Sequence, residues 1–254
     1  MPLAVARICR YPVKGLSAEP LEAVALEPGR AIAGDRRFAI AHGSGALEGE
    51  LSEWLPKQSF LMLARNERLA ALETRFDEKD GTLVVKRGGK PVARGKIVER
   101  VGRALIEEFF AAYMREEARG KPRLVRAAAG HTISDHRAAV VSLINLASVR
   151  DLERVVGGPV DPIRFRANLY FEGDRPWQEF EWLDREIAVG GARLLVTARI
   201  ARCAATNVDP KTAARDLNIP RALERGFGHA DCGVYARVVG AGGVAVGDVL
   251  VPPG

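Results

Sequence analysis

The sequence predicts a mixed, β-rich fold: a small N-terminal β domain followed by a second domain built as a β-barrel or sandwich with peripheral helices. Three observations lead there. Short apolar runs punctuated by Gly, Pro, Asn and Asp recur along the chain, which is the rhythm of many short strands. Near residues 100–115, Val101, Leu105, Phe109 and Ala112 switch to helical spacing. The 254 residues suffice for two modest domains, each with its own core.

The first part, residues 1–95, offers strands at 3–8, 21–26 and 37–40, and then the pair 83–86 and 91–93. That pair flanks Arg87-Gly88-Gly89-Lys90, a hairpin whose glycines can take φ > 0. A junction near residue 96 opens the second part, residues 96–254. There a buried strand over 138–143 leads to Asn145, a good N-cap for a helix bearing Leu146, Val149 and Leu152. Further strands are expected at 164–171, 186–189, 193–199, 234–239 and 249–251.

Composition excludes several classes. No run approaches the ~18 to 20 apolar residues of a membrane span, and the first residues lack a secretory signal, so a cytoplasmic address is expected. The three cysteines, Cys9, Cys203 and Cys232, have no CxxC spacing, which argues against a disulfide framework, a zinc ribbon or an iron–sulfur cluster. A net charge of +6 suits an anionic ligand or a redox partner. The bases are dispersed among acids and no nucleic-acid-binding pattern is present, so neither nucleic acid nor membrane is an expected partner.

Five places carry side chains suited to chemistry. Lys14, in Tyr11-Pro12-Val13-Lys14-Gly15 after the first strand, is either a solvated lysine or a cation presented to an anion. Arg36, beside Asp35, reads as a strand-end ion pair or as a bidentate phosphate ligand. Alternation places Arg164, Arg166 and Asn168 on one face of the expected strand, either its solvent face or a row for a polyanion. Asp135 caps a turn, orients a cation, or donates a proton if its pKa is raised. Cys203, with Arg202 beside it, is either a small buried hydrophobe or a thiolate able to bind a soft metal. A cysteine hydrolase would need a histidine base, and His229 is the one plausible partner, with nothing to mark it as such.

Taken in order, Tyr11-Pro12-Val13-Lys14, Asp35-Arg36, Ser134-Asp135, Arg164-Phe165-Arg166-Ala167-Asn168, Trp177 with Glu179 and Trp182, Arg202-Cys203, Val208-Asp209-Pro210-Lys211-Thr212, Gly233-Val234-Tyr235 and Val246-Gly247-Asp248 resemble the MOSC family. The likeness is to the branch with an N-terminal MOSC-type β-barrel domain, relatives of the mitochondrial amidoxime-reducing components. It spans nearly the whole chain. The resemblance implies that Cys203 is the protein ligand of molybdenum, the other sulfurs coming from the dithiolene of a pterin, with a tungsten form as the variant. It further implies that Lys14, Arg36, Asn145, Arg166, Asn168, Arg202 and Tyr235 hold the cofactor, with Asp135 near the reacting centre. Gly15, Asn145 and Ala213 depart from the family pattern, where a small hydroxyl residue, serine and glycine are usual.

The activity so implied is reduction of N-oxygenated small molecules by oxygen-atom transfer. No four-cysteine cluster motif is present, so electrons are expected from a separate ferredoxin- or flavin-type donor. The alternative is a carrier that passes on the cofactor, or a sulfane sulfur on Cys203. A third reading is a β-rich binding module without turnover.

Overall fold

The computed structural model describes residues 3–45 and 47–254. Strands β1 (Ala4–Arg10), β2 (Glu19–Leu21), β3 (Ala23–Leu26), β4 (Phe38–Ala41), β5 (Glu50–Leu51), β6 (Leu72–Asp77), β7 (Thr82–Arg87) and β8 (Lys90–Lys96) precede helix α1 (Arg100–Met114). After it come β9 (Arg123–Ala127), β10 (Val141–Asn145), helix α2 (Leu146–Val156), β11 (Leu169–Glu172), β12 (Glu186–Val189) and β13 (Ala192–Ala201). Helix α3 (Ile219–Phe227) and strands β14 (Asp231–Gly240), β15 (Gly242–Ala245) and β16 (Leu250–Val251) close the chain. The β-rich expectation holds. Among the described residues no helix is long and apolar enough to cross a membrane.

The largest sheet has eight strands in the order β16-β12-β13-β14-β10-β11-β1-β2, antiparallel except for β10 and β11. Those two are parallel, as the intervening crossover through α2 allows. β1 is stitched into this sheet far from its sequence neighbours, pairing Ile8 with Leu169 on one side and with Leu21 on the other. The expected strand at 21–26 is two strands, because β2 pairs with β1 while β3 turns away to pair with β15. Val5, Ile8, Leu143, Leu169, Val196 and Val234 anchor the apolar core on one face of the sheet. On the other face α2 and α3 cover Tyr11, Ile144, Phe165 and Tyr170.

A second core lies under β4 and the meander β6-β7-β8. The β7–β8 turn has Gly88 and Gly89 at φ 55° and 75°, the left-handed pair that a tight hairpin requires. The junction expected near residue 96 falls between β8 and α1, yet Ile106, Phe110, Tyr113 and Met114 of α1 pack into this first core, which continues to Leu124. Val101 and Leu105 remain exposed. The helix faces inward through Gly102 instead, because a Cβ there would sit 2.2 Å from the Lys96 carbonyl, a closeness only glycine permits.

One expected strand is corrected. Pro162–Phe165 is a 3-10 turn, opened by Asp161 accepting from the Ile163 N–H and followed by Arg166 at φ 52°. Proline after a short acidic cap favours such a turn over a strand start, so pairing begins only at Leu169. Arg164 and Arg166 therefore do not share a strand face. By contrast, Asn145 caps α2 as expected, its side chain accepting from Ala147 N at 2.9 Å.

Candidate functional site

The two cores face each other across a cleft of about 420 Å³. One wall comes from the loop after β1, the loop before β4 and residues 57–64; the other from residues 132–135, the 162–168 turn, the end of β13 and Tyr235 on β14. Lys14, Arg36, Asp135, Arg166, Asn168, Arg202, Cys203 and Tyr235 all line it. Residues up to 221 positions apart in the sequence are gathered there by the stitching of β1 into the large sheet.

Arg36 and Arg166 meet over one ring. Their guanidiniums lie 5.0 and 4.2 Å from the Tyr11 centroid, and both residues have positive φ, 47° and 52°. Two bulky residues in the left-handed region mark a site where the surroundings hold strained backbone in place. Arg36 is neutralised by Asp35 and also donates to the Arg166 carbonyl at 2.9 Å. Burial works against its charge, but Asp35 outweighs burial and its pKa is raised. Asp35 in turn accepts from the Tyr11 N–H at 2.8 Å. Arg166 donates one N–H to the Leu16 carbonyl at 2.8 Å, and its Nη2 is buried without any partner among the described residues. Burial, with Arg36 nearby, lowers its pKa. A buried guanidinium nitrogen with no acceptor is costly unless a ligand completes it.

Lys14 is buried and donates to the Ile133 carbonyl at 3.0 Å and to Asp135. Burial pulls its pKa down against the opposing pull of Asp135. Burial would raise the Asp135 carboxyl, but Lys14, Lys57 and Arg36 together hold it below its usual range. Of the roles open to Asp135 in the sequence, the geometry matches the orienting of a cation: its depressed carboxyl accepts from the Lys14 ammonium. Tyr235, whose ring packs against His136 at 4.9 Å, has its hydroxyl pKa pushed up by burial.

Cys203 follows β13 in extended conformation and opens a 3-10 turn over Ala204–Asn207. Its carbonyl accepts from the Thr206 N–H and hydroxyl at 3.0 and 2.9 Å, which fixes the backbone beneath the thiol. It is the only one of the three cysteines not buried. Burial raises the Cys9 thiol to about 11 and the Cys232 thiol to about 12, leaving both as inert core atoms. Arg202 is not free to face a ligand with all its donors. It binds the Cys232 carbonyl and donates to the Phe165 carbonyl at 2.9 Å, so it braces the turn on which Cys203 stands.

Other expected ligands have structural duties. Arg164 is buried and pairs with Asp209 at 3.0 Å and Asp216 at 2.7 Å, anchoring the segment after Cys203. Asn168 accepts from Ser142 N and Oγ and donates to the Cys9 carbonyl at 3.2 Å, tying β10 to β1. One of its N–H groups is left for a ligand. Asn145 does not line the cleft. It is fully buried beside α2, donating to Glu179 at 2.9 Å and to the Arg175 carbonyl, which corrects its expected cofactor contact. Lys57, Met62 and Leu63 line the cleft and were not singled out from sequence, since a loop without periodicity gives no local signal.

These features define a two-core, β-rich protein with a cationic cleft around one accessible thiol. The MOSC N-terminal beta barrel domain matches residues 3–121 and the MOSC domain matches residues 130–251. The chain belongs to the MOSC domain family, in the form that carries this N-terminal domain. It is 32% identical over 120 residues to the molybdenum cofactor sulfurase of Anopheles gambiae, a match covering 42% of this chain and 15% of that protein. The chain thus spans only a small part of that relative's length. Among solved structures, the YUAD protein from Bacillus subtilis aligns over 98% of this chain and 94% of its own at 12% identity and a TM-score of 0.46. YiiM from Geobacillus stearothermophilus aligns over 44% of this chain and 53% of its own, at 23% identity and a TM-score of 0.35.

Proposed function

We propose that the chain is a molybdenum-cofactor-dependent oxidoreductase that reduces N-oxygenated or similar small molecules. The observation carrying this reading is a single accessible thiol, Cys203, in a cleft also lined by Arg166, whose buried guanidinium Nη2 has no acceptor among the described residues. Among the described residues no group of three or more His, Cys, Asp or Glu side chains gathers to hold a metal ion. One thiolate is thus matched to a soft metal that arrives with most of its ligands already in place. Anionic sulfur and phosphate groups suit Lys14, Lys57, Arg36 and Arg166. The donor set fits a molybdopterin, in its molybdenum or tungsten form.

When bound, the cofactor would supply the redox chemistry, oxygen-atom transfer from the substrate. The chain's residues do the rest. Arg166 and Arg36, locked on Tyr11, would hold the pterin's phosphate and ring; Asn168 would add one N–H. Lys14, oriented by Asp135, keeps a positive charge deep in the cleft, and the Arg202 brace fixes the Cys203 turn. Met62, Leu63 and Ala64 give the outer cleft an apolar side for a small organic substrate. Electrons would come from a separate ferredoxin- or flavin-type donor protein, attracted by the positive net charge.

A second reading, a carrier of the cofactor or of a sulfane sulfur on Cys203, is favoured by the similarity to a molybdenum cofactor sulfurase. Purification from cells that make the cofactor separates the two, with measurement of bound metal and of hydroxylamine and amidoxime reduction by an artificial electron donor. Stoichiometric molybdenum with turnover is expected. Cyanide-releasable sulfur without bound metal would overturn the oxidoreductase.

A further inference from the structure

The cleft has an outer rim where its two walls touch, and one side chain bridges it. Arg215, in the segment after Cys203, donates from Nη2 to the Leu63 carbonyl at 3.3 Å, the Ala64 carbonyl at 3.0 Å and the Glu67 carboxylate at 2.9 Å. Its Nη1 donates to the carbonyl of Ala204, the residue next to Cys203, at 3.1 Å. One guanidinium therefore ties three groups of one lip to the turn that carries the thiol.

Each lip is firm by itself. On one side Asn66 accepts from Met62 N at 3.0 Å and donates to Glu117 at 2.9 Å, bracing residues 62–67 against their own core. On the other, buried Arg164 pins Asp209 and Asp216, while Asp209 accepts from the Lys211 and Thr212 N–H groups. Between these braced lips the Arg215–Glu67 pair is 33% and 41% exposed. Exposed pairs are weak and screened by salt, whereas buried ones persist. Separation would therefore occur at Arg215 first.

We propose that Arg215 is the latch of the cleft, a positioning residue that holds the lip 62–67 against the Cys203 turn and so sets how large a molecule reaches the thiol. It takes its meaning from the reading of Cys203 as a cofactor ligand: a bulky pterin must pass this rim, whereas a small substrate need not. The latch itself requires no cofactor.

The test uses the full chain without cofactor, labelling Cys203 with iodoacetamide and with a polyethylene-glycol maleimide. Buried Cys9 and Cys232 stay silent. In Arg215→Ala, loss of an exposed ion pair and three carbonyl bonds should speed the bulky reagent on the order of tenfold, with iodoacetamide changed by less than about twofold. Glu67→Gln should give a smaller, equally size-selective rise, and Arg215→Lys should restore part of the barrier. Should Arg215→Ala fail to fold, the wild-type chain in ~1 M salt must show the same selective rise. Labelling that ignores reagent size, or that rises equally for both reagents, overturns the latch. A chain that takes up no molybdenum overturns the functional reading and leaves the latch standing.

Discussion

Lys14 and Asp135, 121 positions apart, form the ion pair that joins the loop after β1 to the segment preceding β10. The pair lines the cleft and couples stability to pH. Asp135→Asn leaves a buried ammonium without its partner. The expected loss at pH 7 is about 1–3 kcal/mol, below the ~3–5 kcal/mol of a fully buried pair. Asp135 is 48% exposed and partly screened. Because the folded carboxyl is depressed, its contribution is present above the unfolded value of ~3.9 and vanishes as pH falls through the lower folded value. Denaturant melts should show the gap between wild type and variant largest near neutrality and closing in acid. A gap that stays constant to pH 3 refutes the assignment.

Arg166→Lys keeps a charge but cannot reach the Leu16 carbonyl, stack on Tyr11 and offer a second nitrogen to a ligand together. Molybdenum content after expression in cofactor-making cells should fall about tenfold, the ~1.4 kcal/mol of one charge-assisted bond. Metal analysis against the wild type decides it; undiminished content means that the unpartnered Nη2 does not serve the cofactor.

Asn145→Ala should separate stability from binding. The change removes the α2 cap, about 1 kcal/mol, and a donor to buried Glu179, whose pKa burial already raises. Together these give a loss of about 2–4 kcal/mol. Since Asn145 lies outside the cleft, metal bound per folded chain should equal that of the wild type. A drop in metal at unchanged stability would restore its sequence-expected role.

Ala213 sits at φ 61°, a left-handed conformation that penalises a side chain by ~1–2 kcal/mol. Glycine gives back part of that relief as backbone entropy, ~0.5–1 kcal/mol. Ala213→Gly should therefore raise stability by up to about 1 kcal/mol, read as an upward shift in melting temperature, without slowing thiol labelling. A lower melting temperature would contradict the strain argument.

How far the sequence can be read depends on whether the cause is local. The Gly88-Gly89 turn, the Asn145 cap and strands β12 to β14 follow from residues within a few positions, and all were legible. The 3-10 turn at Pro162 had a local signal, Asp161-Pro162, which the apparent alternation of Arg164, Arg166 and Asn168 concealed. The inward face of α1 was hidden for a different reason: it is fixed by the close approach of Gly102 to Lys96 across the β8–α1 turn, and the outward stripe of Val101 and Leu105 has the same period. At the site, Lys14, Arg36, Arg166 and Cys203 were identifiable singly by chemistry, and their order by resemblance. That Arg164 and Arg202 spend guanidinium donors on bracing the Cys203 turn depends on carbonyls and carboxylates far along the chain, which no spacing rule reports.

The strand β1 belongs by sequence to the segment matched as the N-terminal domain, yet it lies inside the large sheet, with β11 on one edge and β2 on the other. The two matched segments are therefore not separable cassettes. A fragment beginning at residue 130 would bare the β11 edge and the apolar row that Val5 and Ile8 now cover, an invitation to self-association. Grafting the cleft onto another scaffold, or splitting the gene for complementation, would have to carry residues 4–26 along with the second segment, as a permuted chain or as a peptide supplied in trans.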